Sequence, residues 1–186
     1  IFITDMYNLR YFTGFTGTTG MALATKEGNF FFSDFRYKEQ ATKQVEEKGF
    51  KFVEVGRNSL DKVKEIIDKF GIKKVGFEDL NMTFNYYKKI EELFKVELLA
   101  LGSALSNQRL IKKDFEIENI KKATEISDIA FAETIKIVKA GMSEKDVAAH
   151  LEYIQRKLGA EDKSFNTIVA SGYRSALPHG VASDKK

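Results

Sequence analysis

The stretch Met21-Ala22-Leu23-Ala24-Thr25-Lys26-Glu27-Gly28-Asn29-Phe30-Phe31-Phe32-Ser33-Asp34 decides the fold. Two strand-like runs, Met21 to Thr25 and Phe30 to Ser33, flank Lys26-Glu27-Gly28-Asn29, whose glycine and asparagine accept positive φ, so the segment predicts a hairpin. Further strands are predicted at Ile1 to Thr4, Phe52 to Val55, Lys74 to Phe77 and Val96 to Leu99. Helical segments alternate with them, which points to an α/β layer architecture built on a mixed sheet.

Helix signals bracket three of these segments: Arg36 to Lys48 closed by Gly49, Leu60 to Phe70 opened by Ser59 and closed by Gly71, and Phe84 to Phe94 opened by Thr83. Beyond Gly102 the pattern changes. No strand signal returns until Thr167, and two helices fill the interval. The first, Phe115 to Ala140, aligns Ile117, Ile120, Thr124, Ser127, Phe131, Ile135 and Val138 on one face. A second stripe through Ile126, Ile129, Ala130 and Ile137 predicts burial on two sides. A capping box, Ser143-x-x-Asp146, opens the next helix, which runs to Leu158 and stops at Gly159. A boundary near Lys112 to Asp114 divides the chain into domains 1–113 and 114–186.

The 186 residues carry 30 basic against 27 acidic side chains, a net charge of +3, with 43% hydrophobic residues. That balance describes an ordinary globular chain, and its interleaved Lys and Glu argue against nucleic acid as a partner. Without cysteine there is no disulfide or thiolate metal site. No apolar run approaches membrane-spanning length and no basic leader precedes Ile1, so no membrane partner and a cytoplasmic location are expected. The buried-strand character of Ile1-Phe2-Ile3-Thr4, with no lead-in, suggests a piece of something longer.

Three features could carry chemistry. Acids follow predicted strands at Asp5, Asp34 and Glu78-Asp79; gathered at one sheet edge they could hold Mg²⁺ for nuclease chemistry, or simply cap the helices that follow. The glycine- and hydroxyl-rich run Asn8 to Gly20 has the look of a phosphate cradle, but it lacks the lysine and spacing of a Walker A loop and reads better as a packed turn with aromatic anchors. Of the two histidines, His150 lies on a helix without an imidazole four residues on, and so reads as structural. His179 lies on the loop Gly172 to Gly180, beside the single proline, Pro178. There it suits proton transfer or hydrogen bonding to a substrate carbonyl. A surface turn that contains a histidine accounts equally well for the local sequence.

Longer motifs add a resemblance. Asn8-x-x-Tyr11-Phe12-Thr13-Gly14-Phe15, with Phe31-Phe32-Ser33-Asp34-x-Arg36-Tyr37-x-x-Gln40-Ala41, resembles the creatinase-type N-terminal domain. Glu116-Ile117-Glu118-x-Ile120-x-Lys122-Ala123, Gly141-Met142-Ser143-Glu144, Ser164-Phe165-Asn166-Thr167-Ile168-Val169-Ala170-Ser171-Gly172 and Ser175-Ala176-Leu177-Pro178-His179-Gly180 resemble the opening of a "pita-bread" metallopeptidase domain. The combination is similar to Xaa-Pro peptidases, that is, Xaa-Pro aminopeptidases and proline dipeptidases, and to the related creatinases.

The resemblance implies an N-terminal fragment of an enzyme that hydrolyses the peptide bond before proline with two divalent metal ions, Mn, Co or Zn. The implied architecture is a mixed-sheet creatinase-type domain followed by the first helices and strand of an incomplete α+β pita-bread domain. By resemblance, His179 hydrogen-bonds the substrate near the scissile carbonyl and is not a metal ligand. The family's two Asp, one His and two Glu ligands fall after the segment matching Pro178-His179-Gly180, so no metal ligand and no activity are expected of this chain alone.

The N-terminal domain of such enzymes builds a homodimer. That places Asp34, Arg36 and Tyr37 as candidates facing a neighbouring subunit's peptide, with a salt bridge for Arg36 and packing for Tyr37 as the plainer reading. The alternative from another class is a non-catalytic creatinase-fold dimerisation or binding module.

Overall fold

A computed structural model describes residues 1–186. The chain divides into two compact units, Ile1–Ile111 and Lys112–Lys186.

In the first unit the elements run β1 (Phe2–Ile3), α1 (Met6–Thr13), β2 (Met21–Ala24), β3 (Asn29–Ser33), a 3₁₀ turn (Phe35–Tyr37), α2 (Lys38–Glu46), β4 (Phe50–Glu54), α3 (Ser59–Lys69), β5 (Lys74–Phe77), α4 (Phe84–Phe94), β6 (Glu97–Ala100) and α5 (Ala104–Asn107). The six strands form one sheet in the order β4-β3-β2-β1-β5-β6. The hairpin forms in the register Ala22 opposite Phe31 and Leu23 opposite Phe30. β2 is antiparallel to both its neighbours, whereas β3–β4, β1–β5 and β5–β6 are parallel. The sheet is therefore mixed, with β2 the one reversed strand.

The consecutive phenylalanines explain how the sheet is covered. Successive side chains point to opposite faces, so a strand buried on both faces reads as an unbroken apolar run. Phe31 and Phe32 are each fully buried, in different cores. Phe32 joins Phe2, Leu23, Val63, Ile67, Val75, Ile90 and Phe94, which sets α3 and α4 against one face. Phe31 joins Ile3, Leu9, Phe15, Ala41 and Val45, which sets α1 and α2 against the other. Each fully buried aromatic or aliphatic side chain contributes about 1.5–3 kcal/mol by leaving water.

Some local expectations need correction. Residues 8–13, read as the start of a packed glycine-rich turn, belong instead to α1; Asp5 caps it by accepting from Asn8 N, and Gly14 ends it at φ 74°. The helix predicted from Arg36 begins as the 3₁₀ turn, because the Asp34 side chain accepts from Arg36 N and tightens the entry. Ser59 lies inside α3; Asn58 is the cap residue and makes no side-chain cap bond. α4 spans Phe84–Phe94 as predicted, capped by Thr83, and Lys95 at φ 53° closes it.

The second unit holds α6 (Asp114–Ile137) and α7 (Glu144–Lys157), followed by a segment without regular strands. The capping box at α7 is present in full: Ser143 Oγ accepts from Asp146 N, and Asp146 accepts from Ser143 N. The strand expected from Thr167 reduces to one antiparallel bridge, Ile168 to Val181. The predicted two-sided burial of α6 is also not observed. Ala130 and Thr134 are its buried residues, while Phe131 is 61% and Ile135 55% exposed. The periodicity marks a face suited to burial, but within this unit only one strip of it is covered.

Candidate functional site

His179 is carried by an anchored loop in the second unit. Gly172–Ala176 form a 3₁₀ turn opened by Gly172 at φ 54°, and a further turn closes with Gly180 N donating to Leu177 O at 3.1 Å. Gly180 has a steric role: a Cβ there would lie 3.0 Å from Ala170 Cβ and 3.3 Å from Leu177 O. Arg174 Nη2 donates to Val181 O at 2.8 Å across the loop. His179 is exposed at the turn. Its carbonyl accepts from Val181 N at 2.8 Å, and its backbone fixes where the imidazole starts.

Beneath the loop lies Glu144, the first residue of α7 and only 2% exposed. Oε1 accepts from Ser171 N at 2.8 Å and Ser171 Oγ at 3.2 Å. Oε2 accepts from Arg174 Nε at 3.0 Å, Ser183 N at 3.1 Å and Ser183 Oγ at 2.7 Å. These donors, the Ser183 hydroxyl foremost, lower the carboxyl pKa to about 2, against the burial that would raise it. The position at a helix N-terminus also favours negative charge.

Two turns along α7, Glu152 accepts from Thr167 Oγ1 and, at 3.0 Å, from Lys163 Nζ, and its pKa is lowered chiefly by the Thr167 hydroxyl. Sequence reasoning quoted Glu144 within a motif but gave it no role. Its signal was an acid immediately after an N-cap serine. The two serines it grips, Ser171 and Ser183, are remote in sequence.

In the first unit, Asp34 and Arg36 form a bidentate pair, Nε to Oδ1 and Nη2 to Oδ2 both at 2.8 Å. The Arg36 hydrogen bond holds the Asp34 carboxyl below its usual range. Tyr37 packs edge-on against Phe15, with ring centroids 5.4 Å apart, and its hydroxyl lies 2.8 Å from Thr18 Oγ1, which lowers the phenol pKa. The 14–20 loop is shaped by rings: a Cβ on Gly17 would meet Phe15 Cζ at 2.3 Å, and one on Gly20 would meet Phe31 Cζ at 2.5 Å. These glycines make room for aromatic anchors.

The strand-end acids do not assemble an ion site. Asp5, Asp34 and Glu78 follow parallel strands and so share one sheet edge, but β3 and β5 are separated by β2 and β1. Three strand spacings put Asp34 and Glu78 roughly 14 Å apart. Glu78, 4% exposed, is occupied by Thr4 N at 2.6 Å, Asp5 N at 2.8 Å and Asn8 Nδ2 at 2.6 Å. Asp79 accepts from Gly102 N at 2.7 Å. No group of three or more His, Asp or Glu side chains is placed to share a metal ion. The residues of this chain therefore do not fit a dinuclear centre. His150 stands 6.5 Å from the Tyr153 ring on α7, with no second imidazole beside it.

An α/β unit covered on both faces is followed in the chain by a helical unit that displays a histidine loop. Residues 1–111 match the creatinase/prolidase N-terminal domain, and residues 118–186 match metallopeptidase family M24. The chain belongs to the creatinase/prolidase family.

Among its relatives, an uncharacterized peptidase of Bacillus subtilis is 43% identical over 98% of this chain and 52% of its own length. The Xaa-Pro dipeptidase of Pyrococcus furiosus is 34% identical over 100% of this chain and 52% of its own length. The solved Xaa-Pro dipeptidase of Bacillus anthracis superposes with a TM-score of 0.91 at 41% identity, covering 99% of this chain and 51% of that one. The X-Pro aminopeptidase of Thermotoga maritima superposes with a TM-score of 0.90 at 38% identity, covering 99% and 53%. The chain thus spans about half the length of the relatives it matches. No helix is long and apolar enough to cross a membrane.

Proposed function

We propose that this chain serves in a metal-dependent Xaa-Pro peptidase that hydrolyses the peptide bond preceding proline. The observation that carries the reading is the His179 turn, exposed yet anchored, within the segment that matches the metallopeptidase family. His179 donates a hydrogen bond to the substrate beside the scissile carbonyl and steadies the tetrahedral intermediate. In the whole protein two divalent ions, Mn, Co or Zn, would supply the activated water, and the residues of this chain are not placed to hold them. The half-buried Asp34 and the exposed Arg36 it pairs with, with Phe35 73% exposed between them, supply the surface turned toward a neighbouring subunit of a cytoplasmic homodimer.

The test supplies Mn²⁺ to the full-length protein and follows an Xaa-Pro dipeptide beside a longer Xaa-Pro peptide. Proline-directed cleavage is the expected result, and His179→Ala slows it while leaving bound metal unchanged. Absence of cleavage before proline refutes the reading, and loss of metal in His179→Ala refutes the role given to the imidazole.

A further inference from the structure

Glu144 is the buried acid of the second unit, and the proposed hydrolysis makes no use of it. Its hydrogen bonds divide by oxygen: Oε1 holds Ser171 at the start of the histidine loop, and Oε2 holds Ser183 at its end and Arg174 within it. The helix backbone adds to the same grip, since Glu144 N donates to Lys185 O at 2.9 Å and Lys145 N to Ser183 O at 3.1 Å. Both ends of the loop are thus fastened to the first turn of α7. Between them the Arg174 to Val181 bond spans the loop, and the bridge of Val181 to Ile168 ties it to the preceding segment.

We propose that Glu144 is the positioning residue for His179: one ionised carboxylate clamps both ends of residues 171–183 and so fixes the turn that presents the imidazole. The inference rests on the reading of His179 as a substrate-side donor. Only an ionised carboxylate offers acceptor capacity on both oxygens to this many donors. A glutamine has one acceptor oxygen, and its amide would turn N–H groups toward either Ser171 or the Ser183–Arg174 side. One end of the loop would then lose its acceptor. A shift of about 1 Å in a group that contacts substrate costs up to about 100-fold in rate.

The experiment compares wild type, Glu144→Gln, His179→Ala and the double variant in the full-length Mn²⁺ enzyme. It measures kcat/KM on an Xaa-Pro dipeptide, bound metal, and amide hydrogen exchange across residues 171–183. Glu144→Gln should lower kcat/KM about 10- to 100-fold with bound metal unchanged. It should also speed exchange in the loop, and it should add little once His179 is already alanine, because coupled residues are not additive.

Independent, multiplying effects of the two substitutions overturn the proposal, as does wild-type activity in Glu144→Gln. If Glu144→Gln fails to fold, Ser183→Ala removes one donor at 2.7 Å and is read by the same cycle. Unchanged turnover in His179→Ala refutes the role of the imidazole and with it the positioning claim, whereas the exchange data separately report whether Glu144 clamps the loop.

Discussion

Replacing Glu78 by alanine tests the argument that the first unit is latched by one carboxylate. Glu78 follows β5, and its carboxylate accepts from Thr4 N and Asp5 N, where β1 turns into α1, and from Asn8 Nδ2 on α1 itself. A fourth contact, Thr4 Oγ1 at 3.4 Å, is long and adds little. A hydrogen bond to a charged group contributes about 1.5–3 kcal/mol, and an orphaned buried donor costs about 1–3 kcal/mol. Asn8 is 4% exposed, so its amide loses its partner without regaining water, whereas Thr4 and Asp5 are half-buried and are rehydrated in part.

Summing one full and two discounted donors gives a destabilisation of about 4 kcal/mol, within the range for breaking a buried charged network. Urea unfolding followed by circular dichroism is the assay. With a slope of about 2 kcal/mol per molar, the midpoint of the first unit falls by about 2 M. Asn8→Ala removes one donor and also the Asn8 Oδ1 oxygen, which is buried without a partner, so its cost should be smaller, about 1–2 kcal/mol. A Glu78→Ala protein less than about 1 kcal/mol weaker than wild type, or an Asn8→Ala cost equal to that of Glu78→Ala, refutes the latch.

Two further outcomes are expected. The Glu144 carboxyl, lowered to about 2 from 4.5 chiefly by the Ser183 hydroxyl, contributes stability that is complete above the unfolded value and lost as pH falls through the folded one. Protection of the Ser171 and Ser183 amides, corrected for intrinsic exchange, should therefore be flat above pH ~5 and decline only below it. A decline between pH ~7 and ~5 contradicts the assignment. Gly17→Ala places a methyl 2.3 Å from Phe15 Cζ and 2.8 Å from Tyr37 Cε1 and displaces a fully buried ring; it should cost about 2–3 kcal/mol in thermal or urea unfolding, whereas a neutral result would remove the steric reading of the loop.

The legible parts of the sequence were those governed by local rules. The hairpin turn at Gly28, the Thr83 cap and the Ser143-x-x-Asp146 box each act within a few residues, and each forms where expected, although Asn29 lies in β3 and not in the turn. α1 was hidden because glycines and hydroxyls crowd the stretch after it. Its N-terminal signal, Asp5 before Asn8, was visible only as one more acid at a strand end. The 3₁₀ entry to α2 was hidden for a similar reason: the hydrogen bonds that Asp34 makes to Arg36 compete with regular helix geometry.

Taken alone, the sequence determined the mixed α/β class, the helical character after Gly102, the family resemblance and the prominence of His179. Those follow from periodicity, turn chemistry and motif, all written in neighbouring residues. Only the tertiary structure decided what the acids do. Glu78 closes onto Thr4, Asp5 and Asn8, seventy or more positions away in number, and Glu144 gathers Ser171, Arg174 and Ser183. A buried carboxylate must find donors wherever the chain brings them, and that pairing is fixed by the packing of strands and helices and by no local spacing.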